Sequence, residues 1–246
     1  MNFKMLLTSS LVALSVPLFA ATDGAYHQTF TLHTKEILKP YEASYTARRL
    51  GMRVVVKTRV SIDGDVVTYS KQTKPKGLAK AFLDEETETS VFKITDAGLA
   101  FQKYQVSSKD EGRNELITLD SSGKKIAGTS RGKAVNLPAE ENLIDRASME
   151  IMLMLDAHKR TNLEYNVINR TYVKKYTFEY LGQENIRAAG TDLSCDLYKV
   201  TRSSGKRSTS LCMAEALGFL PAMVIHDENG ETKMMLDSQT LVDLKK

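Results

Sequence analysis

From Tyr41 onward, apolar and polar residues alternate with a period of two along most of this chain. Tyr41, Ala43, Tyr45 and Ala47 share one face, and Glu42, Ser44 and Thr46 the other. That pattern predicts a half-buried strand. Val54, Val56, Thr58, Val60 and Ile62 alternate with Lys57, Arg59 and Ser61 and run into Asp63-Gly64. An Asp-Gly between two alternating runs predicts a hairpin, because a type I′ turn needs positive φ at both central residues. With Asp63 and Gly64 at the centre, Val60 faces Val67 and Thr58 faces Tyr69. Similar turns follow at Asp96-Ala97-Gly98, Ser121-Ser122-Gly123, Ser203-Ser204-Gly205 and Asp227-Glu228-Asn229-Gly230, each between strand-like runs. Tyr172, Tyr176, Phe178 and Tyr180 share one face of a further strand. Turns recur without long helical patterns between most strands, which predicts an antiparallel meander rather than βαβ units.

Two segments break the period. Lys76 to Leu83 reads as a short helical turn, and Leu137 to Arg160 as the one main helix. Asn142 or Asp145 suits its cap, and Glu140-Glu141 suit its positive end. Ile144, Ala147, Ile151, Met154 and Leu155 form an apolar stripe. Met149, Met152 and Leu153 widen it, so the helix is predicted to be buried over most of its surface. The stripe is either plain core or the wall of a ligand cavity, because methionine adapts to irregular apolar surfaces in both settings. The predicted fold is mainly β, a curved antiparallel meander (an open or half-closed barrel) with one main buried α-helix at about 140–160. Neither internal repeats nor a linker divides the chain, so residues 41–246 are expected to form a single domain, preceded by an arm over 21–40.

The first twenty residues fix the expected compartment. Lys4 supplies a positive n-region, Met5 to Phe19 an apolar core, and Ala20-Ala21 small residues for cleavage. This is the layout of a secretory signal peptide, and its apolar core is too short to span a membrane, which takes about 20 apolar residues. A soluble periplasmic protein is expected, with no membrane span and no lipoprotein cysteine after the leader. Loss of Lys4 takes the formal charge from +4 to +3. That balance, with no Lys/Arg stripe, argues against nucleic acid and leaves a weak pull toward anionic lipid headgroups.

Candidate chemistry is sparse. Cys195 and Cys212 are the two cysteines, and an even pair in an oxidising compartment suggests a disulfide. A two-residue Ser204-Gly205 loop makes them diagonal rather than opposite, with Cβ atoms about 7–8 Å apart, whereas a bridge needs about 3.5–4.5 Å. A bridge and two buried free thiols therefore both stand. His27, His33, His158 and His226 have no metal-ligand spacing, so neither a metal nor a cofactor is expected. Glu85, Glu86 and Glu88 cluster before a strand, where Glu86 and Glu88 share a face, as paired glycosidase carboxylates can. A solvated strand start is the simpler account of them. G-x-S-x-G, P-loop and Rossmann patterns are absent, so no catalytic residue is assigned.

Four stretches carry a likeness to a known family. They are Tyr41-Glu42-Ala43-Ser44-Tyr45; Lys76 to Phe82 with Glu88 to Phe92; the helix entry Asp145-Arg146-Ala147-Ser148; and an ending through Gly190-Thr191, Tyr198-Lys199-Val200, Leu211 to Ala214 and Phe219-Leu220-Pro221. Together they span Tyr41 to about Leu241, and the chain resembles the bacterial exported family called domain of unknown function 3108. Cys212 stands where that family would place a large aromatic. The resemblance implies an exported, mostly antiparallel protein with a curved sheet around a helix, similar in layout to periplasmic lipid-handling proteins. Three roles follow. The first is non-enzymatic binding of an apolar or amphipathic envelope component, with the stripe Ile144, Ala147, Ile151, Met154 and Leu155 lining the cavity. The second is a scaffold docking on another envelope protein through edge strands, and the third an envelope glycan hydrolase using Glu85 to Glu88.

Overall fold

The computed structural model describes Thr34 and residues 38–95, 98–140, 142–201, 207–228 and 230–241. The expected leader Met1–Ala20, most of the expected arm over 21–40, His27 and His33 lie outside the described residues, as do the expected turn centres Asp96-Ala97 and Ser203-Ser204-Gly205. Eight strands form the first half: β1 (Tyr41–Arg49), β2 (Met52–Asp63), β3 (Val66–Lys76), β4 (Glu86–Thr95), β5 (Gly98–Ser108), β6 (Glu115–Leu119), β7 (Lys125–Ser130) and β8 (Lys133–Pro138). After β9 (Leu143–Asp145) and the helix α1 (Ser148–Asp156) come β10 (Leu163–Asn169), β11 (Tyr172–Ala188), β12 (Thr191–Thr201), β13 (Ser208–Ala214), β14 (Leu220–Asp227) and β15 (Glu231–Leu241).

Among the described residues, fifteen strands form one sheet, in the order β8-β7-β6-β5-β4-β3-β2-β1-β15-β14-β13-β12-β11-β10-β9. Two meanders are thus joined where β1 pairs antiparallel with β15. The sheet curves without closing and brings β9 against β5. Its concave face holds α1, and the core lies between them, built on Tyr45, Tyr69, Tyr104, Tyr198, Phe92, Ile151 and Leu155. Burying an aliphatic side chain such as Ile151 or Leu155 contributes about 1.5–3 kcal/mol.

Three local features bear on expectations from the sequence: two correct them, and the third decides between a bridge and free thiols. The β2–β3 turn centres on Gly64-Asp65, with Asp63 facing Val66 and Val60 facing Tyr69. Gly64 has φ +59 and stands first in the turn, where a type II′ turn places glycine. The two-residue shift in pairing keeps every side chain on its expected face, because only odd shifts exchange the faces. Secondly, the helix starts later than expected. Leu137-Pro138 end β8, and Leu143–Asp145 form β9, which pairs parallel with Asn166–Ile168 of β10. Asp145 Oδ1 accepts from the backbone N–H groups of Ala147 and Ser148 at 2.8 and 2.9 Å, while Ser148 Oγ accepts from Asp145 N at 3.0 Å. This reciprocal cap fixes the start. The helix then runs through α1 and a 3₁₀ turn over Ala157–Lys159 to Arg160, whose φ of +51 stops it.

Thirdly, Cys195 faces Ala214 and Leu197 faces Cys212, the diagonal arrangement expected, yet the cysteines meet as a disulfide with Cα atoms 5.3 Å apart. Pairing shifts at Tyr180/Gly182 in β11 and Cys212/Met213 in β13 flank them. Bulges increase local twist, and twist shortens one diagonal of a strand pair. A bridge closing a loop of this size contributes about 3 kcal/mol. Reduction is expected to lower the melting temperature by roughly 6–12 °C. Thiol labelling of the unfolded, unreduced chain checks the premise: unmodified Cys195 and Cys212 fit the bridge, and full alkylation would remove it.

Candidate functional site

Tyrosines of the sheet hold the helix by their hydroxyls. Tyr69 donates to Glu150 Oε1 at 2.9 Å, Tyr165 to Asp156 at 3.0 Å and Tyr198 to the carbonyl of Ala157 at 2.9 Å. Tyr41 approaches Met154 Sδ at 3.7 Å. A tyrosine supplies both apolar area and a polar tip, so the same residues fill the core and satisfy polar groups of the helix, including an end carbonyl.

At the helix entry lies a chain of buried polar groups that the sequence reading did not find. Ser90 Oγ on β4 donates to Asp145 Oδ2 at 2.6 Å. Arg146 donates to Tyr104 Oη at 2.6 Å and to Glu115 Oε1 at 2.8 Å, and its guanidinium lies 5.3 Å from the Tyr104 ring centre. Tyr104 donates in turn to Glu88. Ser130 and Arg131 complete the shell of Glu115, at 2.9 and 3.3 Å. Burial raises the Glu115 pKa, but the Arg146 charge and the hydrogen bonds from Arg146, Ser130 and Arg131 outweigh it and hold the carboxyl below its ordinary value. Burial pushes Asp145 up to about 6, against the pull of Ser90 and the backbone N–H donors.

Folded Asp145 therefore binds its proton more tightly than the unfolded chain does. Its stabilisation is complete below the ordinary value of 3.8 and is lost as pH rises through about 6. Each pH unit between the two is worth about 1.4 kcal/mol. Asparagine keeps the acceptor for Ala147 and Ser148 and has no charge to bury. The stability of Asp145→Asn relative to wild type is expected to rise by about 2 kcal/mol between about pH 4 and pH 7. A difference independent of pH in chemical denaturation would contradict this.

Beside this network, a cavity of about 270 Å³ opens between α1 and the inner face of β11 to β15. Its apolar wall includes Met149, Leu153, Phe178, Val200, Leu211 and Met234. Apart from Leu153 and Phe178, these side chains are only half-buried. Lys71, Arg146 and Arg207 also line it, with Glu150. Lys71 pairs with Glu150 at 3.3 Å, Arg146 with Glu115, and Arg207 with Glu228. The Glu150 charge raises the Lys71 pKa, so the ammonium stays charged at neutral pH. Glu115 and Glu228 stand outside the cavity lining, so three cations and one carboxylate border an apolar hollow. A second cleft, of about 400 Å³, is more polar and is lined by Ile144, Met152, Asp156, Lys159, Glu164 and Lys175 among others.

The stripe Ile144, Ala147, Ile151, Met154 and Leu155 packs into the core at all five positions, and Ile144 also borders this polar cleft. The apolar cavity is met by the other side of the helix, through Met149 and Leu153. Glu86 pairs with Arg113 at 2.8 Å, Glu88 takes the Tyr104 hydroxyl, and Glu85 is exposed. His158 Nδ1 lies 2.8 Å from the Leu155 carbonyl, and His226 Nδ1 2.9 Å from Thr209 Oγ1. Among the described residues, no group of three or more His, Cys, Asp or Glu side chains is placed to hold a metal ion, and no helix is long and apolar enough to cross a membrane.

An open, barrel-like sheet wrapped on a helix, with an apolar hollow bordered by cations, is the class of protein these features define. The chain belongs to the family described as "protein of unknown function (DUF3108)", whose model matches residues 40–237. Among solved structures, the chain is similar to the beta-barrel-like protein of domain of unknown function DUF1849 from Brucella abortus. That match has 9 % identity and a TM-score of 0.50, over 84 % of this chain and 99 % of that one. The MucA/MucB complex of Pseudomonas aeruginosa matches with 9 % identity and a TM-score of 0.37, over 89 % of this chain and 56 % of that chain. A DUF1329 family protein from Desulfovibrio piger matches with 11 % identity and a TM-score of 0.26, over 91 % and 95 %. No curated protein matches the sequence. The Brucella likeness is one of fold.

Proposed function

We propose that this is an exported periplasmic binding protein without catalytic activity, which holds an amphipathic anion, such as a fatty acid or a lipid intermediate, in the cavity beside α1. The observation that carries the reading is the composition of that cavity. Half-buried Met149, Val200, Leu211 and Met234 present apolar area that the fold leaves uncovered, and Lys71, Arg146 and Arg207 border it. An acyl chain gains about 0.8 kcal/mol for each methylene removed from water, and the cations favour a carboxylate or phosphate headgroup. The leader at Met1–Ala20 supports export.

The scaffold reading has less behind it. Pairing through a free edge is disfavoured at β9, whose three residues are all buried, and at β8, which carries Lys133 and ends at Pro138, both features that blunt edges. The hydrolase reading is weakened because Glu86 and Glu88 are engaged by Arg113 and Tyr104.

Displacement of a fluorescent fatty acid by saturated fatty acids of increasing length tests the reading. The expected affinity rises about fourfold per added methylene until the hollow is full, then levels. An affinity independent of chain length, or no uptake by the delipidated protein, would refute it.

A further inference from the structure

One end of the sheet has a surface that the cavity does not use. Arg48 on β1 faces Arg53 on β2 and Lys233 on β15, and Arg53 faces Lys76 on β3. Four exposed cations thus stand in one row across four adjacent strands. Lys57 and Lys74 lie on the same outer face, one or two rows in. No aspartate or glutamate occurs between Ala43 and Ile62 or between Val66 and Leu83. Like charges directly opposite one another across strands are destabilising, so the row works against the isolated fold.

Large apolar side chains project from the same end. The β1–β2 turn carries Leu50, 88 % exposed, and the 3₁₀ segment Gly77–Ala81 that leaves β3 packs on β2 and carries Leu78, 80 % exposed, followed by Phe82, 76 % exposed. Among the described residues these are the three most exposed large hydrophobic side chains. They stand within a few positions of Arg48, Arg53, Lys76 and Lys80. Apolar tips flanked by cations suit an interface that is anionic at its surface and apolar just below it.

We propose that this end of the sheet docks on the surface of an anionic phospholipid bilayer, with Leu50, Leu78 and Phe82 entering the headgroup layer and Arg48, Arg53, Lys76 and Lys233 facing lipid phosphates. The inference does not depend on what fills the cavity. A soluble phosphate would satisfy the cations but leave the three apolar tips in water, so the bilayer accounts for both features.

Co-sedimentation of the exported chain with vesicles tests it. Equal parts of phosphatidylglycerol and phosphatidylethanolamine are compared with phosphatidylcholine alone. Wild type is expected to partition onto the anionic vesicles and to be released by salt. Loss of two cations in Arg53→Gln/Lys76→Gln is expected to lower partition about 25-fold. Leu78→Ser/Phe82→Ser is expected to lower it at least about tenfold. Both variants alter exposed positions away from the cavity and are expected to keep the fold and the fatty-acid uptake of wild type, which separates a failure here from a failure of the cavity reading. Equal binding to phosphatidylcholine, or partition unchanged in either variant, would overturn the proposal. So would binding to soluble polyglutamate that matches the vesicles and ignores Leu78→Ser/Phe82→Ser, which would point to an acidic protein partner.

Discussion

Replacing Arg146 by methionine is expected to cost the fold about 3 kcal/mol, measured as a lower urea midpoint at neutral pH. The cost comes from what is left behind. The Glu115 side chain is 1 % exposed and keeps Ser130 and Arg131 but loses the guanidinium that enters from the helix. Breaking a buried pair by removing one partner costs about 3–5 kcal/mol, and the remaining partners put this case at the lower end. The double replacement Arg146→Met/Glu115→Leu removes the stranded charge and is expected to recover part of the loss, because an apolar pair of similar volume can stand in for a buried ion pair. A single-variant loss below about 1 kcal/mol would mean that the network does not dock the helix. Fatty-acid uptake should fall along with stability in the single variant, since Arg146 joins the helix entry to the cavity.

Leu211→Trp is expected to have the largest effect on binding, with uptake of a long-chain fatty acid reduced at least about tenfold. Leu211 projects from β13 into the 270 Å³ hollow opposite Met149 and Leu153. The larger ring would occupy space that about two or more methylenes of a ligand need, each worth about 0.8 kcal/mol. Leu211 is half-buried, so the ring meets open space rather than close-packed core, and the melting temperature of the ligand-free protein should change little. Retained uptake in a folded Leu211→Trp protein would move the binding site elsewhere.

Much of the sheet is legible in the sequence, because each hairpin carries its own turn chemistry and its own alternation. The strand runs around Gly64, Gly123 and Gly205 are local features, and the faces they imply are correct even where the pairing shifts by two. The joining of β1 to β15 rests on residues nearly two hundred positions apart and has no local sign. Ile144, Ala147 and Ile151 recur at helical spacing, so the sequence pattern extends the helix over Leu143–Asp145, which the fold makes a strand. Three residues are too few to display a period of two, and the β10 partner that makes them a strand lies over twenty positions downstream.

The cavity was illegible for a different reason. A helix apolar on nearly every side does not disclose which side is packed, so in the sequence the stripe containing Ile151 and Leu155 is as able to line a hollow as Met149 and Leu153. The polar chain through Ser90, Tyr104, Glu115 and Arg146 joins the three strands β4, β5 and β6 to the helix entry. Its single sequence signal is Asp145-Arg146, two charges set at the mouth of an apolar run. In the sequence, Glu86 and Glu88 share a strand face as an acid pair would. In the fold, Glu88 belongs to that chain and Glu86 to Arg113.

Native mass spectrometry of the chain purified from the cells that make it, before and after solvent extraction, bears most directly on whether the hollow beside α1 holds an amphipathic anion. The account predicts one adduct per chain that extraction removes, that returns when a long-chain fatty acid is added, and that Leu211→Trp fails to retain. A chain that flies at its bare mass from the outset, and stays there with fatty acid in excess, would contradict it.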